Sequence, residues 1–422
     1  MHPFIGGDAW PYLTQITADL NGVGLGCGEV FARFNPDRFS LFPFASTFFS
    51  FFEPIVAYYL FLLLFYIIAN VSFYLFSGLY TERKLIRFIS AFTYSTSLVF
   101  LAIVYWGNPS TLIGFAYIPG IVYVAVKALD GRGQLNAAFA LTGGIFTALV
   151  ALGGGWYYVG YIAVIALVLV CLKWNVQNVL YSAFFAGMGF EFVAGSYVSG
   201  MVKHLDFFER IRSSYLPLNW FDSLTIWLYG RNFGSPLSVA LPLITSPVLL
   251  AGAFYGFFNY KFDWRHYSLI VFLCTSLFPI PSIDTARALA PAFFIFCAFF
   301  VQALDGLYSS YRESFNAVVF FHLSFIVLVF SLFLFLAPQS DYYGGEALKV
   351  KNVVGNNYVW LGEKLESANR SLQFELVKLG VPLVNPYSSV QEKNNKTCSV
   401  FVLESVFPVM LRRVENNTFL YN

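Results

Sequence analysis

Asp8 stands in Gly6-Gly7-Asp8-Ala9-Trp10-Pro11-Tyr12, where two glycines leave room around a carboxylate and the indole and phenol suit a membrane–water boundary. A carboxylate there can take a proton from a hydroxyl or ligate a divalent ion, given hydrogen-bond reach of the reacting oxygen. A plain interfacial loop has the same composition. Further along, Lys203-His204-Leu205-Asp206-Phe207-Phe208-Glu209-Arg210-Ile211-Arg212 sets cationic donors beside two acids. Guanidinium forks match phosphate oxygens, so Lys203, Arg210 and Arg212 can clamp a lipid phosphate. An amphipathic helix anchored by aromatic and basic side chains would read the same way. Arg287, after Pro279-Ile280-Pro281-Ser282-Ile283-Asp284-Thr285-Ala286, opens an apolar run, a costly place for a cation without a partner. Accessory candidates are Asp37 in Asn35-Pro36-Asp37-Arg38, His204, and Glu53 before Pro54, which otherwise simply snorkels at a helix end. Glu191, the lone acid of its apolar run, must face a partner or a cavity, as a structural hydrogen bond or as a catalytic group.

The elements that must hold these groups are membrane spans. Only 11% of the 422 residues are charged, against about 25% in an ordinary soluble chain. With 58% hydrophobic residues and mean hydropathy +0.65, too little polar material exists to cover a water-facing surface. A bilayer asks only for apolar covering and internally satisfied backbone. The net charge of +2 and the absence of any Lys/Arg run imply no nucleic-acid partner. The glycines of Leu20–Glu29 form no phosphate loop, because no Lys-Ser/Thr follows them. The five cysteines show no Cys-x-x-Cys or Cys/His ligand spacing, which argues against a structural zinc site.

Apolar stretches of the length needed to cross the hydrocarbon predict about ten spans, at 54–78, 86–106, 110–128, 135–152, 155–173, 177–199, 236–259, 266–281, 286–304 and 316–337. The first 338 residues carry 31 charges and the last 84 carry 17, so the tail is a separate, watery module. The expected fold is an all-α polytopic membrane bundle with a small α+β extracytoplasmic C-terminal domain. Its parts are an outer loop and interfacial helix over 1–53, a transmembrane domain over 54–338, and the soluble domain over 339–422. In the tail, a helix is expected around Trp360 to Leu379, then a hairpin of Cys398–Leu403 against Met410–Val414.

Nine basic residues beside the spans, Arg83, Lys84 and Arg87 among them, fall on one side, and seven on the other. The richer side is cytoplasmic, which sets both termini outside. Asn369, Asn395 and Asn416 head glycan acceptor sequons, useful only outside the cytoplasm. That topology also sets Cys27 and Cys398 on the same side, where a disulfide can form. Residues 1–53 have no signal peptide to carry them outward. Either the first span is a reverse anchor, helped by Arg83 and Lys84, or the sequence lacks a preceding span.

Taken together, the acidic start at Gly7-Asp8-Ala9-Trp10-Pro11-Tyr12, the long outer segment, the many spans and the outer tail resemble the GT-C superfamily of membrane glycosyltransferases. The likeness is to its YfhO-like and oligosaccharyltransferase-type members. Tyr105-Trp106-Gly107-Asn108-Pro109 and Ala116-Tyr117-Ile118-Pro119-Gly120 resemble the family's proline-bearing spans, and Arg287 lies where relatives carry an outer arginine. The tail has no Trp-Trp-Asp, and Trp220-Phe221-Asp222 lies in a loop, so the resemblance stops short of protein N-glycosylation. It implies sugar transfer from a polyprenyl-phosphate carrier to a glycan, lipid or protein acceptor at the outer face. Asp8 would be the general base or would bind a divalent Mg or Mn, and Arg287 with Lys203, Arg210 or Arg212 would hold the departing phosphate. A transporter or lipid flippase shares the composition, but would carry internal repeats and broken helices in matching halves. A non-catalytic membrane scaffold is the third reading.

Overall fold

The structure is a computed structural model that describes residues 9–23, 51–106, 109–130, 134–153, 156–172, 175–191, 246–259, 285–336, 343–361, 370–383, 400–406 and 409–414. Along the chain these form α1 (Ala9–Asn21), α2 (Pro54–Ser77), α3 (Lys84–Ser95), α4 (Leu98–Trp106), α5 (Pro109–Asp130), α6 (Gln134–Leu152), α7 (Trp156–Leu172) and α8 (Val176–Phe190). Then come α9 (Pro247–Asn259), α10 (Thr285–Ser310), α11 (Arg312–Leu336), α12 (Gly344–Val354), β1 (Tyr358–Leu361), α13 (Arg370–Lys378), β2 (Val400–Val406) and β3 (Val409–Val414). They divide into two compact units. One comprises Met1–Leu62, Val104–Asn108 and Ala337–Asn422, the other Leu63–Ile103 and Pro109–Leu336.

The second unit is helical. Five helices among the described residues are long and apolar enough to cross a membrane: Pro54–Ser77, Thr111–Asp130, Leu135–Leu152, Phe293–Ser310 and Arg312–Leu332. The chain is a multi-pass membrane protein. Burial sorts these helices, since 83% of the α5 span is covered by protein and only 11% of the α11 span. The exposed face of α11, with Phe320, Phe321, Val327 and Leu328, is apolar, as a lipid-facing surface must be. α10 packs against α3, α5, α9 and α11. Its Phe294 meets Phe73 and Phe76 of α2 and Tyr94 of α3, with ring centroids 4.6 to 6.5 Å apart. Tyr94 stacks on Phe115 at 4.2 Å and donates its hydroxyl to the Phe115 carbonyl at 2.7 Å. A buried tyrosine needs such a partner. The aromatic excess is therefore partly core.

Two expectations change here. The run 86–106 is two helices, not one span. Thr96 bonds the Phe92 carbonyl through its hydroxyl, and Ser97 accepts the Phe100 N–H at 3.2 Å. Such local bonds end one helix and start the next. Glu191 closes α8 as its C-cap and is exposed, not enclosed, among the described residues.

The first unit is built on α1, which packs on α13, and α12, which also packs on α13. Ala18, Val350, Val354, Leu372, Leu376 and Val377 lie in its core. β1, β2 and β3 form a three-stranded sheet in that order, β1–β2 parallel and β2–β3 antiparallel, with a bulge between Leu403 and Ser405. The hairpin lies where the alternation set it. The helix expected from Trp360 is shorter: Tyr358-Val359-Trp360-Leu361 is a strand, paired with Val400–Leu403, and the helix starts at Arg370. Aromatic and β-branched residues favour a pleated surface over a helix. The segment after Asp8 is also no loop, since Ala9–Asn21 is helical and Trp10, only 4% exposed, packs against Phe374 at 5.4 Å.

Candidate functional site

Most sequence-derived site residues lie outside the described residues. These are Asp8, Asp37, Lys203, His204, Arg210 and Arg212, together with the sequon residues Asn369, Asn395 and Asn416, and Cys27 and Cys398. Arg287 is placed in the first turn of α10 by its backbone. α1 starts at Ala9, the next residue in the chain after Asp8.

Glu53 is the accessory candidate whose side chain is placed. Its Oε2 accepts the N–H groups of Ile55 and Val56 at 3.1 and 3.3 Å, so it caps the start of α2. Its Oε1 meets Lys378 Nζ of α13 at 3.2 Å. Lys378 lies 5.9 Å from the Phe374 ring centroid. Glu53 thus has a structural role at a helix end, one of the two readings its position allowed.

On α13 and α1 several buried polar groups have no hydrogen-bond partner among the described residues. Glu375 is 4% exposed, and its Oε1 has no hydrogen-bond partner among the described residues. Burial pushes its carboxyl above the usual carboxylate range, Lys378 pulls it back down, and the Glu53 charge pushes it up again. Gln373 is also buried, and among the described residues neither of its amide heteroatoms has a partner, nor do the buried hydroxyls of Thr14 and Thr17 on α1. Each such group costs about 1–3 kcal/mol. The α1–α13 pair therefore carries more polarity inside than its own packing uses.

Sequence reasoning missed two clusters in the second unit. Arg83 Nη1 reaches the Asp305 carbonyl at 3.0 Å, the Asp305 carboxylate at 3.4 Å and Ser309 Oγ at 2.9 Å, and the guanidinium lies 4.4 Å from the Tyr308 ring centroid. Thr81 donates to the same carboxylate at 2.6 Å. This cluster ties the turn after α2 to the end of α10. The signal for it was an acid inside an apolar helix, hidden because the span was closed at 304. The other cluster is His322, 1% exposed in α11, with Thr93 Oγ1 2.9 Å from Nε2 and Ser246 Oγ 2.7 Å from Nδ1. A histidine inside a long apolar run was the signal there.

Among the described residues no three His, Cys, Asp or Glu side chains come together in a way that could hold a metal ion. Where Glu53 and Glu375 approach each other, the Lys378 ammonium is the counter-charge. The described residues thus offer no ligand set for Mg or Mn.

No protein-family model matches the chain, and no curated protein matches it. Solved structures do. The arabinofuranosyltransferase AftD from mycobacteria aligns with 94% of this chain at 13% identity and a TM-score of 0.53. A mutant of AftD aligns with 92% at 13% identity and a TM-score of 0.54. The archaeal oligosaccharyltransferase AglB from Archaeoglobus fulgidus, in complex with an inhibitory peptide and a dolichol-phosphate, aligns with 90% at 12% identity and a TM-score of 0.51. The chain spans 33% of the length of AftD and 61% of that of AglB. The likeness is one of fold, shared with two glycosyltransferases, as the resemblance led to expect.

Proposed function

We propose that the chain is an integral membrane glycosyltransferase, moving a sugar from a polyprenyl-phosphate carrier to an acceptor at the outer face. The observation that carries this reading is the shared fold: AftD and AglB, two membrane glycosyltransferases, each align with nine-tenths or more of the chain. The dolichol-phosphate in the AglB complex is a carrier of the proposed chemical class.

In this reading Asp8 takes the proton from the acceptor hydroxyl as its oxygen attacks the sugar carbon. The bond from that carbon to the carrier phosphate breaks, and Arg287 with Lys203, Arg210 and Arg212 meets the charge that grows on the leaving oxygen. Ten spans, outer termini and a small outer α+β tail belong to the same proposal. So do glycans on Asn369, Asn395 and Asn416. Asp8 is also the group this reading would assign to a divalent Mg or Mn, and chelation tests that role.

The test is donor turnover by the full chain in lipid nanodiscs, with a fluorescent polyprenyl-phosphate sugar. Asp8→Asn is expected to lower turnover by about a hundredfold with donor binding intact. Arg287→Ala is expected to weaken donor binding about tenfold, the scale of one lost charge-assisted hydrogen bond. Loss of turnover on chelation, restored by Mg or Mn, would assign Asp8 the ligand role. Wild-type turnover in Asp8→Asn would sink the assignment of Asp8. Movement of an unchanged carrier between leaflets would favour the flippase.

A further inference from the structure

Arg87 takes no part in that reaction, and its placement is more specific than its side of the membrane requires. It lies in the first turn of α3 and folds back on the end of α2, where its Nε donates to the Tyr74 carbonyl at 3.1 Å. That carbonyl belongs to the last turn of α2, whose carbonyls lack partners within the helix. The Ser77 hydroxyl already donates to it at 2.9 Å, so capping alone does not call for an arginine. A guanidinium carries five N–H groups, and the cap uses only the one on Nε. Those on Nη1 and Nη2 meet no acceptor among the described residues. The guanidinium carbon stands 4.1 Å from the Tyr74 ring centroid, and the ring holds it while its outer edge stays open. Gly78 makes the space, since a Cβ there would lie 2.9 Å from that carbon.

The charge is unmatched as well. Arg83 has Asp305, but among the described residues no carboxylate pairs with Arg87 or with Lys84. Lys84 is exposed and stands three residues before Arg87, the spacing that makes side chains on a helix neighbours. An apolar face leads to this pair. Leu64, Ile67, Val71 and Leu75 of α2 are exposed at helical spacing, and Tyr74 and Gly78 continue that face to the guanidinium. Only 33% of the α2 span is covered by protein, so lipid covers this face. An apolar stripe that ends in an open guanidinium matches acyl chain and phosphate in their order along a phospholipid.

We propose that Arg87 and Lys84 bind the phosphodiester of an anionic phospholipid, with an acyl chain lying along Ile67, Val71 and Leu75. Nη1 and Nη2 meet two phosphate oxygens as a fork, and the Lys84 ammonium adds a second positive charge. Two cations favour a headgroup without an amine, such as phosphatidylglycerol, over phosphatidylcholine, whose own ammonium competes for the phosphate. The lipid sits in the leaflet that the α2–α3 turn faces, the cytoplasmic one in the expected topology. Topology would accept any cation at position 87, whereas this site needs the fork and the gap at Gly78.

The test is native mass spectrometry of the full chain in detergent with phosphatidylglycerol or phosphatidylcholine added. A phosphatidylglycerol with a diazirine on its acyl chain is photo-crosslinked in parallel. Wild type is expected to hold phosphatidylglycerol about tenfold more tightly than phosphatidylcholine, the scale of one charge-assisted hydrogen bond. Arg87→Gln is expected to lose that factor, and Arg87→Lys, which keeps the charge without the fork, to weaken binding severalfold. Gly78→Ala keeps every charge but displaces the guanidinium, and is expected to weaken binding severalfold too. The adduct is expected on the α2 peptide that holds Ile67, Val71 and Leu75, and excess inorganic phosphate is expected to leave the lipid bound. Equal binding of the two lipids by wild type overturns the proposal, as does wild-type affinity in folded Arg87→Gln or Gly78→Ala. Displacement by inorganic phosphate would make the ligand a free anion and overturn the lipid. Should the variants not fold, the headgroup preference and the crosslink on wild-type chain still decide.

Discussion

Glu375 and Lys378 lie one helical turn apart on α13, and Glu53 reaches the same lysine from the start of α2. One ammonium thus serves two acids, and the buried acid is left with a raised pKa. A group whose pKa rises on folding contributes most below its unfolded value, near 4.5 here, and that contribution is lost as pH rises through the folded value. Glu375→Gln removes the titration. The variant is expected to melt above wild type at pH 8, with the gap closing toward pH 4, in thermal unfolding of the chain in detergent. A gap that stays constant with pH would show that Glu375 does not titrate between the two states. Lys378→Ala should cost no more than about 1 kcal/mol through Glu53, because that pair is half exposed. Glu53 shows the limit of reading residues from sequence. An acid before a proline at a span start reads equally as a cap or as a site, and its partner Lys378 lies 325 positions away.

At the scale of elements, hydrophobic length gave the helices and local polarity gave their ends. The spans beginning at 54, 110, 135 and 155 correspond to α2, α5, α6 and α7 to within a few residues, and the span expected from 177 begins with α8. The break at Thr96 and Ser97 was not legible, because a long apolar run hides two hydroxyls that bond their own backbone. α1 was not legible either, since its buried face is completed by Phe374 in the tail. Close helix contacts left a signal in Gly252-Ala253-Phe254-Tyr255-Gly256 of α9, the small-xxx-small spacing that lets helices approach. A Cβ at Gly256 would run into the Phe299 carbonyl oxygen of α10, a backbone atom that cannot step aside. A Cβ at Gly252 would lie 2.7 Å from the Phe300 ring edge, which can rotate. Gly256→Ala is therefore expected to destabilise by about 1–3 kcal/mol, and Gly252→Ala by less. Melting of the two variants side by side checks the order, and the reverse order would mean that the Phe300 ring, and not the Phe299 backbone, limits the approach of α9 to α10.

At the scale of the whole molecule, the question is which side of the membrane each end of the helices faces. Arg83, between α2 and α3, and Arg312, at the start of α11, lie 4.4 and 5.6 Å from the centroid of the same ring, that of Tyr308. Two of the nine basic residues assigned to the cytoplasmic side from the sequence thus meet at one place, although they are 229 positions apart in the chain. That places both arginines at the same end of their helices, as the expected topology requires of two residues on one side of the membrane. The orientation then has a direct test. Tyr311, the exposed residue between α10 and α11, is replaced by cysteine, and so is Asn356, exposed after α12. A membrane-impermeant maleimide applied from outside is expected to label Asn356→Cys and not Tyr311→Cys, with Tyr311→Cys reacting once the membrane is opened. Labelling of Tyr311→Cys from outside would invert the topology, place the tail in the cytoplasm, and remove the sequons and the outer-face chemistry together.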